Sequence, residues 1–238
     1  MRGSNAASED RGAAEPYPTV GGMKPRLCAA RWNNATHNKN RQKRNLFEMI
    51  PSTSQASRRV LLFTGHLIDA PGRAEPRFPP ELEAAASGAI AREVAKIAPS
   101  IGIASAARGG DILFHEACRA YGIQTTIVLP FSIAEFEKRS VSGLADGRWE
   151  KRFHSLLSSA GASQIVKVDT LNSSNVFRAC NEAMLNLARA SDPTPTLLAL
   201  WDRQVGDGPG GTAEMVMAVE RLGGQVVVIE LSSLSGSL

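Results

Sequence analysis

A glycine-rich stretch near the end of this 238-residue chain has the residue types and spacing of an anion-binding loop. Residues 197–202 form a short apolar run ending in an aspartate, which is typical of a buried strand. A glycine cluster at residues 206–211 follows, and apolar residues then recur at helical spacing over residues 213–222. Free amides at such a helix start favour a small anion, typically a phosphate. The ligand-binding residues predicted here are Asp202, Gly208, Gly210, Gly211 and Thr212.

Two further loops carry polar groups that should reach the same site. The loop at residues 65–79 is long and rich in proline, and the loop at residues 106–111 places Gly109 and Gly110 just before a helix. If the sheet is parallel, all three loops leave it at one edge. The glycine pair predicts a second anion site, although it would also suit a tight turn. The ligand-binding residues predicted in these two loops and the strands before them are Gly65, His66, Asp69, Arg73, Ser105, Gly109, Gly110 and Asp111.

Several of these side chains have more than one reasonable role. His66 suits contact with a phosphate, proton transfer near neutral pH, or a hydrogen bond that orders its own loop. Asp69 and Arg73 suit either ligand contacts or an ion pair that holds the long loop together. His115 and Arg119, one helical turn apart, are expected to face solvent.

Glu214 lies in the first turn of the last predicted helix and is the candidate for acid–base catalysis. With Gly211 as the N-cap, it also occupies the position from which a carboxylate caps free amides. Binding of a ribose hydroxyl is a further possibility for the same side chain. No metal site is predicted, because the three cysteines are widely separated and suggest neither a zinc site nor a disulfide framework.

Charge is distributed unevenly along the chain. Residues 1–57 carry 9 Lys and Arg against 4 Asp and Glu, whereas residues 58–238 carry 18 against 19. A basic face for nucleic acid is therefore not expected on the folded part. No apolar run approaches the roughly 20 residues of a membrane span, and the first residues lack the apolar block of a secretory signal. These features predict a cytoplasmic protein without membrane contact.

Strands and helices alternate along most of the chain, which predicts an α/β fold: a three-layer Rossmann-like domain with a mostly parallel sheet of about six strands. The predicted organisation is a disordered basic tail at residues 1–57, this domain at residues 58–232, and a flexible carboxyl terminus at residues 233–238. Strands are predicted at residues 60–64, 101–105, 125–129, 164–168, 197–201 and 225–231. Helices are predicted at residues 80–98, 112–121, 131–139, 148–160, 175–190 and 213–222.

Residues 58–231 resemble the SLOG superfamily, a Rossmann-like group that includes the LOG phosphoribohydrolases, the DNA-processing protein DprA and nucleotide-sensing domains. The sequence GHLIDAPGRAEPRFP at residues 65–79 is similar to the loop of a bacterial branch found beside tetratricopeptide-repeat or nucleotide-cyclase domains. Residues 105–113 (SAARGGDIL) resemble its second motif. Residues 128–131 (VLPF), with Glu135 and Phe136, resemble its third.

LOG enzymes carry a PGGxGTxxE signature that binds phosphate and ribose and supplies a catalytic glutamate. Residues 209–215 (PGGTAEM) lack its two-residue insertion and place Met215 at the last glutamate, with Glu214 one residue early. The resemblance therefore implies binding or sensing of a nucleotide-type ligand, with signalling proteins or a second copy of the chain as partners. The alternatives are a phosphoribohydrolase that uses Glu214 to cleave an N-glycosidic bond, and a scaffold module without a ligand.

Overall fold

The computed structural model describes residues 59–161, 164–168, 175–205 and 210–235. The predicted tail at residues 1–57, the predicted ligand residue Gly208 and residues 236–238 lie outside these ranges. In the parts of the chain that the structure describes, no helix combines the length and apolar character needed to cross a bilayer.

A six-stranded sheet forms the centre of the fold, and all its strand pairs are parallel. The predicted α/β class is therefore confirmed. The strands, in chain order, are β1 (Val60–Gly65), β2 (Ile101–Ala104), β3 (Gln124–Leu129), β4 (Ile165–Lys167), β5 (Thr196–Trp201) and β6 (Val226–Glu230). Their order across the sheet is β4-β3-β2-β1-β5-β6.

Helices cover both faces of this sheet. They are α1 (Glu83–Ile97), α2 (Gly110–Ala120), α3 (Ile133–Phe136), α4 (Arg148–Ser159), α5 (Val176–Arg189), α6 (Thr212–Arg221) and α7 (Leu231–Leu234). Because side chains alternate along a strand, Leu61 and Phe63 pack in the core formed with α1, α2 and α4, whereas Val60 and Leu62 pack in the core formed with α5 and α6. Burial on both faces explains why the strands are almost wholly apolar.

The chain reverses its direction of travel across the sheet at β1. From β1 it runs through β2 and β3 to the edge strand β4, and then returns to the other side of β1 as β5. Loops on either side of such a switch point diverge and leave a crevice at the carboxyl ends of the strands, where α/β proteins bind ligands. The loops that follow β1 and β5 border this crevice.

The structure differs from the predicted elements in three places. The predicted helix at residues 131–139 is the single turn α3 followed by a π-helical segment, Glu137–Val141. The fourth strand is only three residues long. Beyond β6 the chain continues into α7, whose Leu231 and Leu234 are buried, so packing extends past residue 232.

Candidate functional site

A cleft of about 380 Å³ opens at the carboxyl ends of the strands, beside the switch point. Its walls come from the ends of β1 and β2, the first turns of α2, α5 and α6, the π-helical segment and the long loop after β1. Seven of the predicted ligand-binding residues line it: Gly65, His66, Ser105, Asp111, Gly210, Gly211 and Thr212. The convergence of three distant loops thus follows from the parallel sheet, as expected.

The start of α6 lies at the cleft. Its N-cap, Gly211, has no side chain with which to cap the helix, and among the described side chains the Glu214 carboxylate accepts a hydrogen bond from the preceding Gly210 amide. Thr212 follows; it is buried and also lines the cleft. The first amides of a helix lack intrahelical partners and carry the positive end of the helix dipole. An anion in the cleft would accept hydrogen bonds from these amides and would be attracted by the helix dipole.

Gly210 is held in place by α5. Its φ of +88° is in the left-handed region, and a Cβ there would lie 2.6 Å from the Arg178 amide nitrogen. The Asn181 side-chain amide donates a 2.8 Å hydrogen bond to the Gly210 carbonyl. This position therefore requires glycine for backbone reasons, before any ligand is considered.

Glu214 is engaged outside the main cleft. Its carboxylate receives two hydrogen bonds from Arg178, at 3.1 and 2.7 Å, and one from the Gly210 amide at 2.9 Å. The hydrogen bond from Arg178 is the main cause that lowers the pKa of Glu214. Glu214 lines a separate groove between α5 and α6. The contact with Gly210 is the helix-capping arrangement that the sequence offered as an alternative to catalysis.

The pair Gly109 and Gly110 packs against the loop after β1. Gly109 has a φ of +97°, and a Cβ there would lie 2.5 Å from the backbone nitrogen of Ile68. The Gly110 amide already donates to the His66 carbonyl at 3.1 Å. Although α2 also begins without a side-chain cap, this amide is occupied. The geometry therefore supports the tight-turn interpretation of the pair.

Asp69 organises the long loop from within. One of its carboxylate oxygens accepts hydrogen bonds from the Arg77 and Phe78 amides, at 2.8 and 2.9 Å. The other lies 3.5 Å from Nε of Arg73. Both Asp69 and Arg73 line a depression on the outer side of the loop and not the main cleft. They match the alternative prediction of an ion pair that holds the loop.

Arg77 is a site residue that the sequence analysis missed. It lines the cleft, and its guanidinium pairs with Asp202 through hydrogen bonds of 2.7 and 3.0 Å. Nε2 of His66 lies 3.1 Å from the same carboxylate. Burial raises the pKa of Asp202, but the hydrogen bond from Arg77 and those from Gln204 and His66 outweigh it, so its pKa is well below the usual range. Asp202 thus joins the loops after β1 and β5.

The surroundings of His66 favour its neutral form. Burial lowers its pKa, and the opposing effect of Asp202 is smaller. A neutral imidazole retains one donor and one acceptor nitrogen, so it can contact a ligand without adding charge. In the sequence, Arg77 within residues 76–79 (PRFP) was the signal that could have predicted its cluster with Asp202 and His66.

His115 is buried, and the prediction that it faces solvent is wrong. Nε2 donates to the Ser105 carbonyl at 2.7 Å, and Nδ1 accepts from the Thr125 hydroxyl at 2.9 Å. Burial lowers its pKa to about 4, which keeps the ring neutral. The histidine therefore fixes the backbone at the end of β2, where Ser105 lines the cleft. Arg119 is exposed, as expected.

Asp111 is a buried carboxyl group on the cleft wall. Its Oδ2 accepts a 3.1 Å hydrogen bond from the Ala107 amide. Burial raises its pKa to about 7, and the Ala107 hydrogen bond only partly opposes this shift. Across the cleft, burial raises the pKa of the Cys180 thiol to about 12, with a smaller contribution from Asp111. That thiol is inert at neutral pH.

Comparisons add no ligand to this geometry. Among the described residues, no group of three or more His, Cys, Asp and Glu side chains is placed to hold a metal ion. No protein-family model matches the chain, and no curated protein matches it significantly.

Proposed function

We propose that this protein binds or senses a nucleotide or nucleotide-derived molecule, with the ligand's phosphate at the start of α6. The proposal is carried by the position of the α6 start: its N-cap Gly211, which has no capping side chain, and Thr212 line a cleft at the switch point of a parallel sheet. Parallel α/β sheets commonly bind phosphate at such a position, where the positive end of a helix dipole faces the ligand. The Thr212 hydroxyl is a further donor on the same wall.

The rest of the cleft suits the remainder of a nucleotide. Its volume is within the range of about 300–1,000 Å³ that small-molecule sites occupy. Phe177 and Met184 of α5 supply an apolar wall, and Phe177 is 41% exposed although it is a large aromatic side chain. An aromatic ring beside a phosphate site offers a surface on which a base can stack.

Binding without hydrolysis is the proposal that the position of Glu214 favours. The carboxylate is occupied by Arg178 and the Gly210 amide, and it lies in a different groove from the proposed phosphate site. A group that abstracts or donates a proton must reach the reacting atom within hydrogen-bond distance. The resemblance to SLOG domains supports the same proposal, together with a cytoplasmic location and either signalling partners or a homodimer.

The proposal is tested by calorimetric titration of the full chain with the four ribonucleoside 5′-monophosphates and the corresponding nucleosides. At least one monophosphate is expected to bind ten or more times more tightly than its nucleoside. Thr212→Val removes the hydroxyl with little change of shape and should weaken that binding by about three- to tenfold.

Thr194→Val is the matched control, because Thr194 is exposed and lies away from the cleft. It should bind like the unmodified protein. Equal affinity for nucleotide and nucleoside, or no binding of either, would overturn the proposal.

A further inference from the structure

The Asp111 carboxyl group is isolated in a way that its surroundings do not explain. It is 8% exposed and lines the cleft, yet Ala107 supplies the only hydrogen bond it receives from a described residue. No described cation forms an ion pair with it. Buried carboxylates in proteins are ordinarily paired or fully hydrogen-bonded, because an unpaired buried charge is costly. Oδ1 is therefore available to an atom of a ligand bound in the cleft.

Asp111 lies in the first turn of α2, whose dipole favours a negative charge, but no described cationic side chain pairs with it. Arg77, on the long loop, is paired with Asp202, and burial lowers the pKa of His66, just after β1, which favours its neutral form. Cys180 on α5 and His115 one turn along α2 are both uncharged at neutral pH. Phe63, Phe136 and Met184 complete an apolar surface around this part of the cleft.

We infer that Asp111 binds the ligand as a neutral carboxylic acid, with Oδ1–H donating to an acceptor atom such as a ring nitrogen or a carbonyl oxygen. This inference rests on the proposed function, because it places the anionic phosphate in the same cleft. A second negative charge there disfavours the ionised carboxyl, so nucleotide binding and protonation of Asp111 reinforce each other.

The coupling has a definite proton balance. In the free protein near neutral pH, part of the population has an ionised Asp111. On binding, that carboxylate takes one proton from solvent and forms the O–H bond at Oδ1, and no other covalent bond changes. Affinity should then follow the protonated fraction, and the apparent Kd at pH 8 should be about tenfold weaker than at pH 6.

The test is calorimetric titration of the full chain with the tightest-binding ribonucleoside 5′-monophosphate at pH 6, 7 and 8. Asp111→Asn can keep the acceptor for Ala107 and offers a permanent N–H donor toward the ligand, so it should lose the tenfold dependence. Asp146→Asn removes one exposed carboxylate outside the cleft and should retain it. The probe phosphate also titrates near pH 6, but it does so equally with every variant.

Repeating the titration at pH 7 in buffers of different ionisation enthalpy should show net proton uptake that Asp111→Asn reduces. If the nucleotide binds but Asp111→Asn has the same pH dependence and proton uptake as the unmodified protein, this inference is overturned and the proposed function stands. If no monophosphate binds even at pH 6, the proposed function fails and the inference fails with it. Affinity that rises with pH and is lost in Asp111→Asn would instead show an ionised carboxylate paired with a cation of the ligand.

Discussion

Replacing Asp111 by asparagine should change how the stability of the protein depends on pH. Burial raises the pKa of Asp111 from 3.8 to about 7. A carboxyl group whose pKa is higher in the folded than in the unfolded state binds its proton more tightly when folded. Its contribution to stability is therefore fully present below about pH 3.8 and is lost as the pH rises through about 7.

The size of the effect follows from that shift. A pKa change of about three units, at 1.36 kcal/mol per unit, corresponds to about 4 kcal/mol. The asparagine side chain of the variant does not titrate. The free energy of unfolding of the variant minus that of the unmodified protein should thus rise by about 3 kcal/mol, most of this total, between pH 4.5 and pH 7.5.

Urea denaturation of both proteins at intervals between pH 4.5 and pH 7.5 measures this difference. Burial also lowers the pKa of His115 to about 4, so its contribution is present above pH 6.5 and is lost as the pH falls toward 4. Between pH 4.5 and 6.5 the two groups act in opposite directions in the unmodified protein. Because His115 is common to both proteins, its contribution cancels in the difference.

A difference that stays constant within about 1 kcal/mol over this pH range would contradict a raised pKa for Asp111. It would show that Asp111 titrates normally, so that the Ala107 amide and the positive end of α2 outweigh burial. The inferred coupling between nucleotide binding and protonation would then lose its basis as well.

Three further sets of substitutions test the packing around the cleft and the role of Glu214. Gly109→Ala should destabilise the fold by about 3 kcal/mol or more in urea denaturation, because its Cβ would lie 2.5 Å from the backbone nitrogen of Ile68. Gly72→Ala, at a φ of +81° in open space, should cost about 1 kcal/mol, and equal losses would contradict close packing of Gly109 against the loop after β1. Arg77→Met and Asp202→Asn should each destabilise by about 3 kcal/mol, and a double-mutant cycle should give a coupling above about 1 kcal/mol; additive losses would show that the pair does not join the loops. Glu214→Gln should retain nucleotide binding, and neither it nor the unmodified protein should release free base in a chromatographic assay; base release by the unmodified protein that the variant abolishes would establish the hydrolase instead.

The sheet was predictable because its strands are short apolar runs that alternate with amphipathic helices. Burial on both faces and a crossover helix between most successive strands leave a parallel sheet as the simple solution. The same argument brought three loops to one edge and so located the cleft. The π-helical segment Glu137–Val141 was not predicted; its backbone hydrogen bonds span five residues instead of the four of an α-helix, a geometry that is rare in proteins.

Side-chain roles within the cleft were harder to predict, because they depend on neighbours that are distant in the sequence. The glycines at residues 109–110 and 210–211 look alike in sequence, yet the Gly110 amide bonds to the His66 carbonyl and the first pair packs against a loop, whereas Gly210 and Gly211 line the cleft. His115 follows a helical spacing that suits solvent, but Thr125 and the Ser105 carbonyl enclose it. No local pattern carries that information.

The proposed function requires a nucleotide phosphate to bind at the start of α6. Backbone amide chemical shifts during titration with a ribonucleoside 5′-monophosphate report this position residue by residue. We expect the largest changes at Gly211, Thr212 and Ala213, and little change for the corresponding nucleoside. Largest changes at Gly109 and Gly110, or in the groove between α5 and α6 with the amides at residues 211–213 unaffected, would contradict it.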